Sequence, residues 1–93
     1  MKLVYTVDAI EDLKRLREFI AIHNSSAAGR IAHELVGKFQ LLTDFPQMGA
    51  PVETAPVPDS VRDMVFGKYV VRYSVHTSVI IILRVWHGLE GER

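Results

Sequence analysis

Three residues near the C-terminus, Arg84, Trp86 and His87, have side chains that could take part in binding or catalysis. A histidine titrates close to neutral pH, so His87 is suited to accept or donate a proton in a reaction. These residues belong to the stretch VIIILRVWHGLEGER, residues 79–93, which begins with an unbroken apolar run. The stretch is therefore either a strand that ends in an active site or a buried strand with a polar tail.

Other reactive residue types do not form a recognisable site pattern. The sequence has no cysteine, which excludes a disulfide framework and a thiolate metal site. His33 and Glu34 do not begin a zinc-binding HExxH motif, because position 37 is glycine. Phosphate-binding glycine loops and other metal-ligand spacings are also absent from the sequence. We therefore expect neither a metal nor a cofactor.

Length and composition favour one small globular domain over residues 1–93. Of these 93 residues, 48% are hydrophobic and 24% are charged, and the formal net charge is zero. A neutral chain is not a strongly basic nucleic-acid binder held by bulk electrostatics. No apolar run approaches the ~20 residues of a membrane helix, and no signal peptide is visible. We expect a cytoplasmic protein without membrane contact, in which a partner supplies some of the burial.

Apolar spacing predicts a strand followed by two helices. Residues 2–6, KLVYT, have the β-branched and aromatic composition of a strand. Asp8 and Glu11 then resemble a helix capping box. Apolar residues follow at helical spacing in both helices: Ile10, Leu13, Leu16 and Ile20 in the first, and Ile31, Leu35, Phe39 and Leu42 in the second. The second helix should end before Pro46, and the short connection predicts an antiparallel helical hairpin.

A proline-rich loop separates the helices from three more strands. All four prolines fall within residues 46–58, and residues 61–66, 69–75 and 79–87 read as strands with short turns between them. The predicted fold class is α+β. Its N-terminal strand precedes an antiparallel helical hairpin, and three antiparallel strands form one sheet packed on the helices.

The faces of the last two strands follow from side-chain alternation, if position 75 pairs with position 79. Odd positions are then almost wholly apolar and should meet the helices. Even positions form a mixed face with Val70, Arg72, Ser74, Ile80, Ile82, Arg84 and Trp86. Arginine and tryptophan on an apolar patch are typical of interface hot spots, so this face is either a binding surface or is covered by the proline-rich loop or the tail. A shift of one residue in register would exchange the two faces.

Five segments in this order resemble the RelE/ParE superfamily of bacterial type II toxin–antitoxin toxins. They are LKRLREFI, NSSAAGRIAHEL, FPQMGAPV, VRDMVFGKYVVRYSV and VIIILRVWHGLEGER. Together they cover nearly the whole chain. The resemblance implies a small toxin neutralised by a cognate antitoxin, whose C-terminal segment wraps around the toxin and covers exposed apolar surface.

The resemblance implies two alternative activities. RelE-like members cleave mRNA in the ribosome, and here His87 would act as acid or base while Arg62, Arg72 and Arg84 would hold phosphates. ParE-like members poison DNA gyrase without acting as nucleases. Nuclease-type tails carry arginine directly after a His-Gly pair, whereas this tail continues with Leu89 and Glu90.

We therefore expect a ParE-like toxin that acts by binding, with a ribosome-dependent mRNA endonuclease as the alternative. A toxin relic that retains only antitoxin binding and transcriptional autoregulation is a third possibility. The residues predicted to bind the antitoxin or the target are Arg72, Arg84, Trp86, Ile80 and Ile82.

Overall fold

The computed structural model describes residues 1–57 and 59–92. Pro58, at the end of the predicted proline-rich loop, and Arg93, at the end of the tail, lie outside the described residues. The elements in chain order are β1 (Lys2–Tyr5), α1 (Val7–His23), α2 (Ala28–Phe39), α3 (Leu41–Asp44), β2 (Ala50–Pro51), β3 (Val61–Phe66), β4 (Tyr69–Val75) and β5 (Val79–His87). None of the described helices is long and apolar enough to cross a membrane.

Helix α1 begins earlier than the predicted capping box. Thr6 is the N-cap, and its side-chain oxygen accepts a hydrogen bond from the Ala9 N–H at 3.0 Å. Asp8 lies in the first helical turn, where a negative charge is favourable. The face that packs on the sheet includes Leu16 and Ile20 as predicted, whereas Ile10 is exposed.

The second predicted helix is two helical segments that share one buried face. Leu35 and Phe39 in α2 and Leu42 in α3 are buried as predicted. The chain turns at Gln40, between the two helices. The last helical residue is Asp44, so the prediction that the helix ends before Pro46 is confirmed.

The predicted α+β fold is confirmed. In the described part of the chain the strands form one sheet in the order β1-β5-β4-β3-β2, with the helices packed against one face. Strands β3, β4 and β5 are antiparallel, and β1 runs parallel to β5. The short strand β2, within the proline-rich loop, was not predicted; it pairs with the start of β3.

Strand β5 changes face midway because it contains a bulge. Val75 pairs with Ile80 and Tyr73 with Ile82, but Arg72 pairs with Arg84, so Leu83 is an extra residue on β5. Even positions face the core before the bulge, and odd positions face it afterwards.

The predicted exposure of Ile80 and Ile82 is therefore wrong. Both residues are fully buried among the helices. The hairpin register differs by one residue from the assumed pairing of positions 75 and 79, and such a shift exchanges the faces of a strand. The assignment is correct for Val71 and Tyr73 in β4 and for Val85 beyond the bulge, all of which are buried in the core.

The segment before β2 is fixed to the sheet by Tyr73. Its hydroxyl donates to the Pro46 carbonyl at 2.8 Å and accepts from the Gly49 N–H at 3.0 Å. A Cβ at Gly49 would lie only 2.8 Å from the Asp63 carbonyl oxygen and from the Tyr73 hydroxyl. Only glycine fits at this contact, which explains the glycine in the FPQMGAPV segment.

Candidate functional site

Arg72 lies on the sheet face opposite the helices, which we call the outer face. Its guanidinium binds both carboxylate oxygens of Asp63 on β3, at 2.8 and 2.9 Å. The same group forms an ion pair with Glu92 of the tail at 2.7 Å and stacks 5.2 Å from the centre of the Trp86 ring. The Arg72 guanidinium is therefore already bound by carboxylates of the same chain, one of them in the tail.

Arg84 turns towards helix α1 and binds Asp12. Its Nε and Nη2 atoms donate to the two Asp12 carboxylate oxygens at 2.8 and 3.0 Å. Asp12 is almost fully buried, and it also accepts hydrogen bonds from Arg15 and from the Val85 N–H. Arg15 continues the network to Glu90 in the tail, with Nε 2.8 Å from a Glu90 oxygen. We call Asp12, Arg15, Arg84 and Glu90 the edge network.

The edge network closes the part of β5 that lies beyond β1. Strand β1 pairs with β5 only as far as Ile82, so no strand in the described part of the chain neighbours the β5 backbone from Leu83 onward on that side. Side chains take the place of that strand: Thr6 donates to the Leu83 carbonyl, Arg15 donates to the Val85 carbonyl, and Asp12 and Glu90 accept from the N–H groups of Val85 and His87. An unpaired strand edge is an open site for another chain, and this one is closed by the chain itself.

The pKa shifts in these clusters have simple causes. Burial tends to raise the pKa of Asp12, but hydrogen bonds from Arg84, the Val85 N–H and Arg15 outweigh it and hold the pKa below its ordinary value. The hydrogen bond to Asp63 raises the pKa of Arg72, and the one to Asp12 raises the pKa of Arg84. These groups are therefore charged and paired at neutral pH.

The residues predicted for a nuclease do not come together. Arg62 lies at the start of β3 and donates to the Gly49 carbonyl at 2.8 Å. It pairs with Tyr73, whereas His87 pairs with Tyr69, four residues along the same strand or roughly 13 Å. Arg84 is bound to Asp12 between these two positions. The three side chains thus serve three separate structural roles.

His87 instead lines a cleft between the helices and one end of the sheet. The cleft has a volume of about 500 Å³. It is bounded by α1, α2, the β3–β4 turn and the tail, with Phe19, Ile20, His23, Asn24, Ile31, Glu34, Leu35, Lys38, Phe66, Gly67, Lys68, Tyr69, His87 and Leu89 as its lining. The His87 ring lies 5.2 Å from the Phe19 ring and 5.0 Å from the Tyr69 ring, measured between ring centres.

Hydrogen bonding fixes the orientation of the His87 ring. The Leu89 N–H donates to His87 Nδ1 at 2.9 Å, so Nδ1 acts as an acceptor. The His87 side chain thus bonds to backbone two residues further along the chain. Burial, and secondarily the charge of Glu90, raise the pKa of Tyr69, so its hydroxyl remains protonated beside His87.

Several cleft residues were not identified from the sequence. His23 and Lys38 line the same cleft as His87 because the helical hairpin packs over the end of the sheet. Their spacing in the chain gives no sign of this arrangement. Among the described residues, no group of three or more histidine, aspartate or glutamate side chains is placed to hold a metal ion.

Comparison with known proteins gives consistent matches over nearly the full chain. The sequence model described as the ParE toxin of the type II toxin–antitoxin system parDE matches residues 3–91. Toxin RelE1 of Caulobacter vibrioides is 31% identical over 90 residues, covering 95% of this chain and 94% of that protein. Toxin RelE2 of the same organism is 31% identical over 87 residues, covering 94% of each chain.

Solved structures match the same fold. A chain of the chromosomal ParDE toxin–antitoxin system from P. aeruginosa superposes with a TM-score of 0.76 at 22% identity, covering 94% of this chain and 95% of that one. A chain of the RelB–RelE antitoxin–toxin complex from Methanococcus jannaschii gives a TM-score of 0.51 at 15% identity, covering 94% of this chain and 92% of that one.

Proposed function

Since the chain belongs to the ParE toxin family of type II toxin–antitoxin systems, we propose that it inhibits growth by poisoning DNA gyrase. It acts by binding rather than by cutting a nucleic acid itself. A cognate antitoxin is the partner that this family implies, and it neutralises the toxin.

The observation that carries the proposal is the pairing of Arg72 and Arg84 with carboxylates of the same chain. Cleavage of RNA without a metal needs cations that are free to stabilise the charge on the reacting phosphate. Arg72 and Arg84 are held by Asp63, Glu92 and Asp12 instead. Asp63 and Glu92, which bind the Arg72 guanidinium, would repel a phosphate brought to the outer face, so this face is better suited to a protein partner.

The predicted binding residues divide into two groups on this view. Arg72 and Arg84 are partly exposed. Trp86 is only 6% exposed because it lies beneath the Arg72 guanidinium, so the prediction that its side chain is exposed is wrong. Arg72 and Arg84 are the residues that we propose for contact with gyrase or the antitoxin, and Trp86 supports the Arg72 guanidinium from below. Ile80 and Ile82 support the core beneath them.

Purified gyrase provides the direct test. The protein is added to gyrase, relaxed plasmid and ATP, and supercoiling and protease-released linear DNA are both measured. We expect loss of supercoiling and accumulation of linear DNA. Normal supercoiling without linear DNA, at a large excess of protein, would contradict the proposal. A reaction without gyrase is the control, because linear DNA there would mean that the protein itself cuts DNA.

An mRNA endonuclease remains a second candidate because of His87. This histidine lines an open cleft with Tyr69, Lys38 and Lys68, and two relatives carry the name RelE. The test is cleavage of mRNA on programmed ribosomes by the wild-type protein and by His87→Asn, in which the side-chain oxygen can still accept from the Leu89 N–H. His33→Asn, at an exposed helix position, is the matched control. Cleavage that is lost only in His87→Asn would favour the nuclease over gyrase poisoning.

Expression in cells separates the three possibilities more coarsely. Filamentation with a DNA-damage response supports gyrase poisoning, whereas rapid translation arrest with cut mRNA supports the nuclease. Growth without any inhibition would support a relic that retains only antitoxin binding.

A further inference from the structure

The cleft beside His87 has the features of a docking site for a peptide. We propose that it binds a segment of a protein partner that inserts an aromatic or aliphatic side chain flanked by carboxylates. Arg72, Arg84 and Trp86 are not among the cleft-lining residues, so binding there does not depend on the gyrase proposal.

The interior of the cleft is suited to an apolar side chain. Ile31 and Leu35 form one wall, and Phe66 and the rings of Phe19 and His87 form the other sides. At about 500 Å³ the cleft lies within the usual size range of binding sites, and its lining is mainly apolar with a few polar groups. An aromatic ring inserted here would have the His87 and Tyr69 rings as neighbours.

Charge at the rim selects an acidic segment. Lys38 on α2 and Lys68 in the β3–β4 turn are exposed at the cleft, and neither forms an ion pair with any residue that the structure describes. The nearby Glu34 is paired with Arg30 at 3.3 Å. Carboxylates on either side of an inserted side chain would therefore meet uncompensated positive charge.

The apolar rim favours a peptide over a small molecule. Leu89 lines the cleft while 82% of its surface is exposed. A ligand confined to the interior would leave this side chain in water, whereas a peptide that crosses the rim would cover it.

Nuclear magnetic resonance on the full chain tests the proposal with internal controls. The probe is the peptide acetyl-Asp-Asp-Phe-Glu-Asp-amide, and the readout is the ring-proton shifts of the four histidines. His23 and His87 line the cleft, whereas His33 and His76 are exposed positions outside it. We expect saturable shifts at His23 and His87 and none at His33 and His76.

Matched peptides separate the apolar and charged contributions. A peptide with alanine in place of phenylalanine should bind at least several-fold more weakly. A peptide with lysines in place of the acidic residues should not bind measurably. Absence of shifts with the acidic peptide, or equal shifts with the basic one, would overturn the proposal.

Lysine variants test whether the charges at the cleft rim contribute to peptide binding. Lys38→Gln and Lys68→Gln should each weaken peptide binding by about two- to fivefold, the range of exposed ion pairs. Lys14→Gln, at an exposed site where lysine pairs with Glu11, is the control and should change nothing. Unchanged affinity in both rim variants would overturn the proposal.

Two further arms exclude other occupants. Stronger shifts of His23 and His87 with adenosine monophosphate than with the peptide would assign the cleft to a nucleotide and overturn the proposal. Shifts of the same protons on dilution of the protein alone would assign it to a second copy of the chain. Gyrase assays on the Lys38→Gln/Lys68→Gln double variant show separately whether poisoning survives the loss of the two rim charges.

Discussion

The outer face and the cleft use positive charge in opposite ways. On the outer face and its edge, Arg15, Arg72 and Arg84 are bound to carboxylates of the same chain. At the cleft, Lys38 and Lys68 have no ion-pair partner among the described residues. The arginines hold the helix, the sheet and the tail together, so a partner that contacts them meets groups already paired with carboxylates, whereas the lysines offer positive charge without such a pair.

The side-chain chemistry of each residue type explains this division. The planar guanidinium matches two carboxylate oxygens at once and accepts further partners, as Arg72 does with Asp63, Glu92 and Trp86. A lysine ammonium is strongly hydrated and stays on the surface at little cost. Arginine on a strand is therefore not by itself a sign of an exposed binding site.

Among the charged groups of the outer face, its edge and the cleft, removal of the Asp12 charge should lower the unfolding free energy most. Asp12→Asn leaves Arg84 without its buried counter-charge, removes one of the two carboxylates that Arg15 binds, and weakens the acceptor for the Val85 N–H. Loss of one partner in a buried ion pair typically costs about 3–5 kcal/mol. Urea unfolding followed by circular dichroism measures the change.

Glu11→Gln is the matched control for this variant. Glu11 is exposed and pairs only with Lys14 among the described residues, so its loss should cost less than about 0.5 kcal/mol. If the two variants were equally stable, the edge network would not stabilise the fold as its geometry indicates.

Acid should weaken the edge network through the same carboxylate. The pKa of Asp12 is lowered in the folded chain, so its contribution to stability is complete above the unfolded value of about 3.9 and is lost as pH falls through the folded value. The difference in unfolding free energy between the wild type and Asp12→Asn should therefore be constant from pH 7 to 5 and shrink below about pH 4. Urea midpoints at pH 7, 5, 4 and 3 give this difference, and a gap that does not shrink in acid would refute the linkage.

Replacement of Arg72 should have a smaller effect, because its cluster is partly exposed. Arg72→Gln loses the contacts with Asp63, Glu92 and the Trp86 ring, and we expect a loss of about 1–2 kcal/mol. The emission of Trp86, the only tryptophan in the sequence, should shift to longer wavelength as water replaces the guanidinium.

Arg30→Gln serves as the control for Arg72. Arg30 forms an exposed ion pair with Glu34 within α2, which is typically worth about 0.3–0.5 kcal/mol. Its removal should leave the tryptophan emission unchanged. Equal losses in the two variants would mean that the outer-face cluster is no stronger than an ordinary surface pair.

The rim lysines should have the smallest effect on stability. Lys38→Gln and Lys68→Gln each remove an exposed charge without a described ion-pair partner, so the unfolding free energy should stay within about 0.5 kcal/mol of the wild type. Urea unfolding checks this expectation. A loss as large as that of Arg72→Gln would mean that these lysines are structural as well.

The sequence-based predictions were accurate for features that neighbouring residues determine, and inaccurate for features that depend on residues far apart in the chain. The order of helices and strands was correct, because the apolar spacing of Leu16 and Ile20, or of Leu35 and Phe39, is a local property. The single-turn helix α3 and the two-residue strand β2 leave too few residues for such a pattern. The faces of β5 were correct only beyond Leu83, since a bulge is defined by the pairing of two strands.

By itself, the sequence determined the order of the elements, the α+β class and the resemblance to the ParE family, because these depend on local spacing and on segments read in order. The tertiary structure decided which carboxylate each arginine binds and which side chains surround the cleft. Asp12 and Arg84 are 72 residues apart in the chain, and His23 and His87 line one cleft only when the helical hairpin packs on the sheet. Such contacts depend on the register of β5 and the packing of α1, which no local pattern specifies.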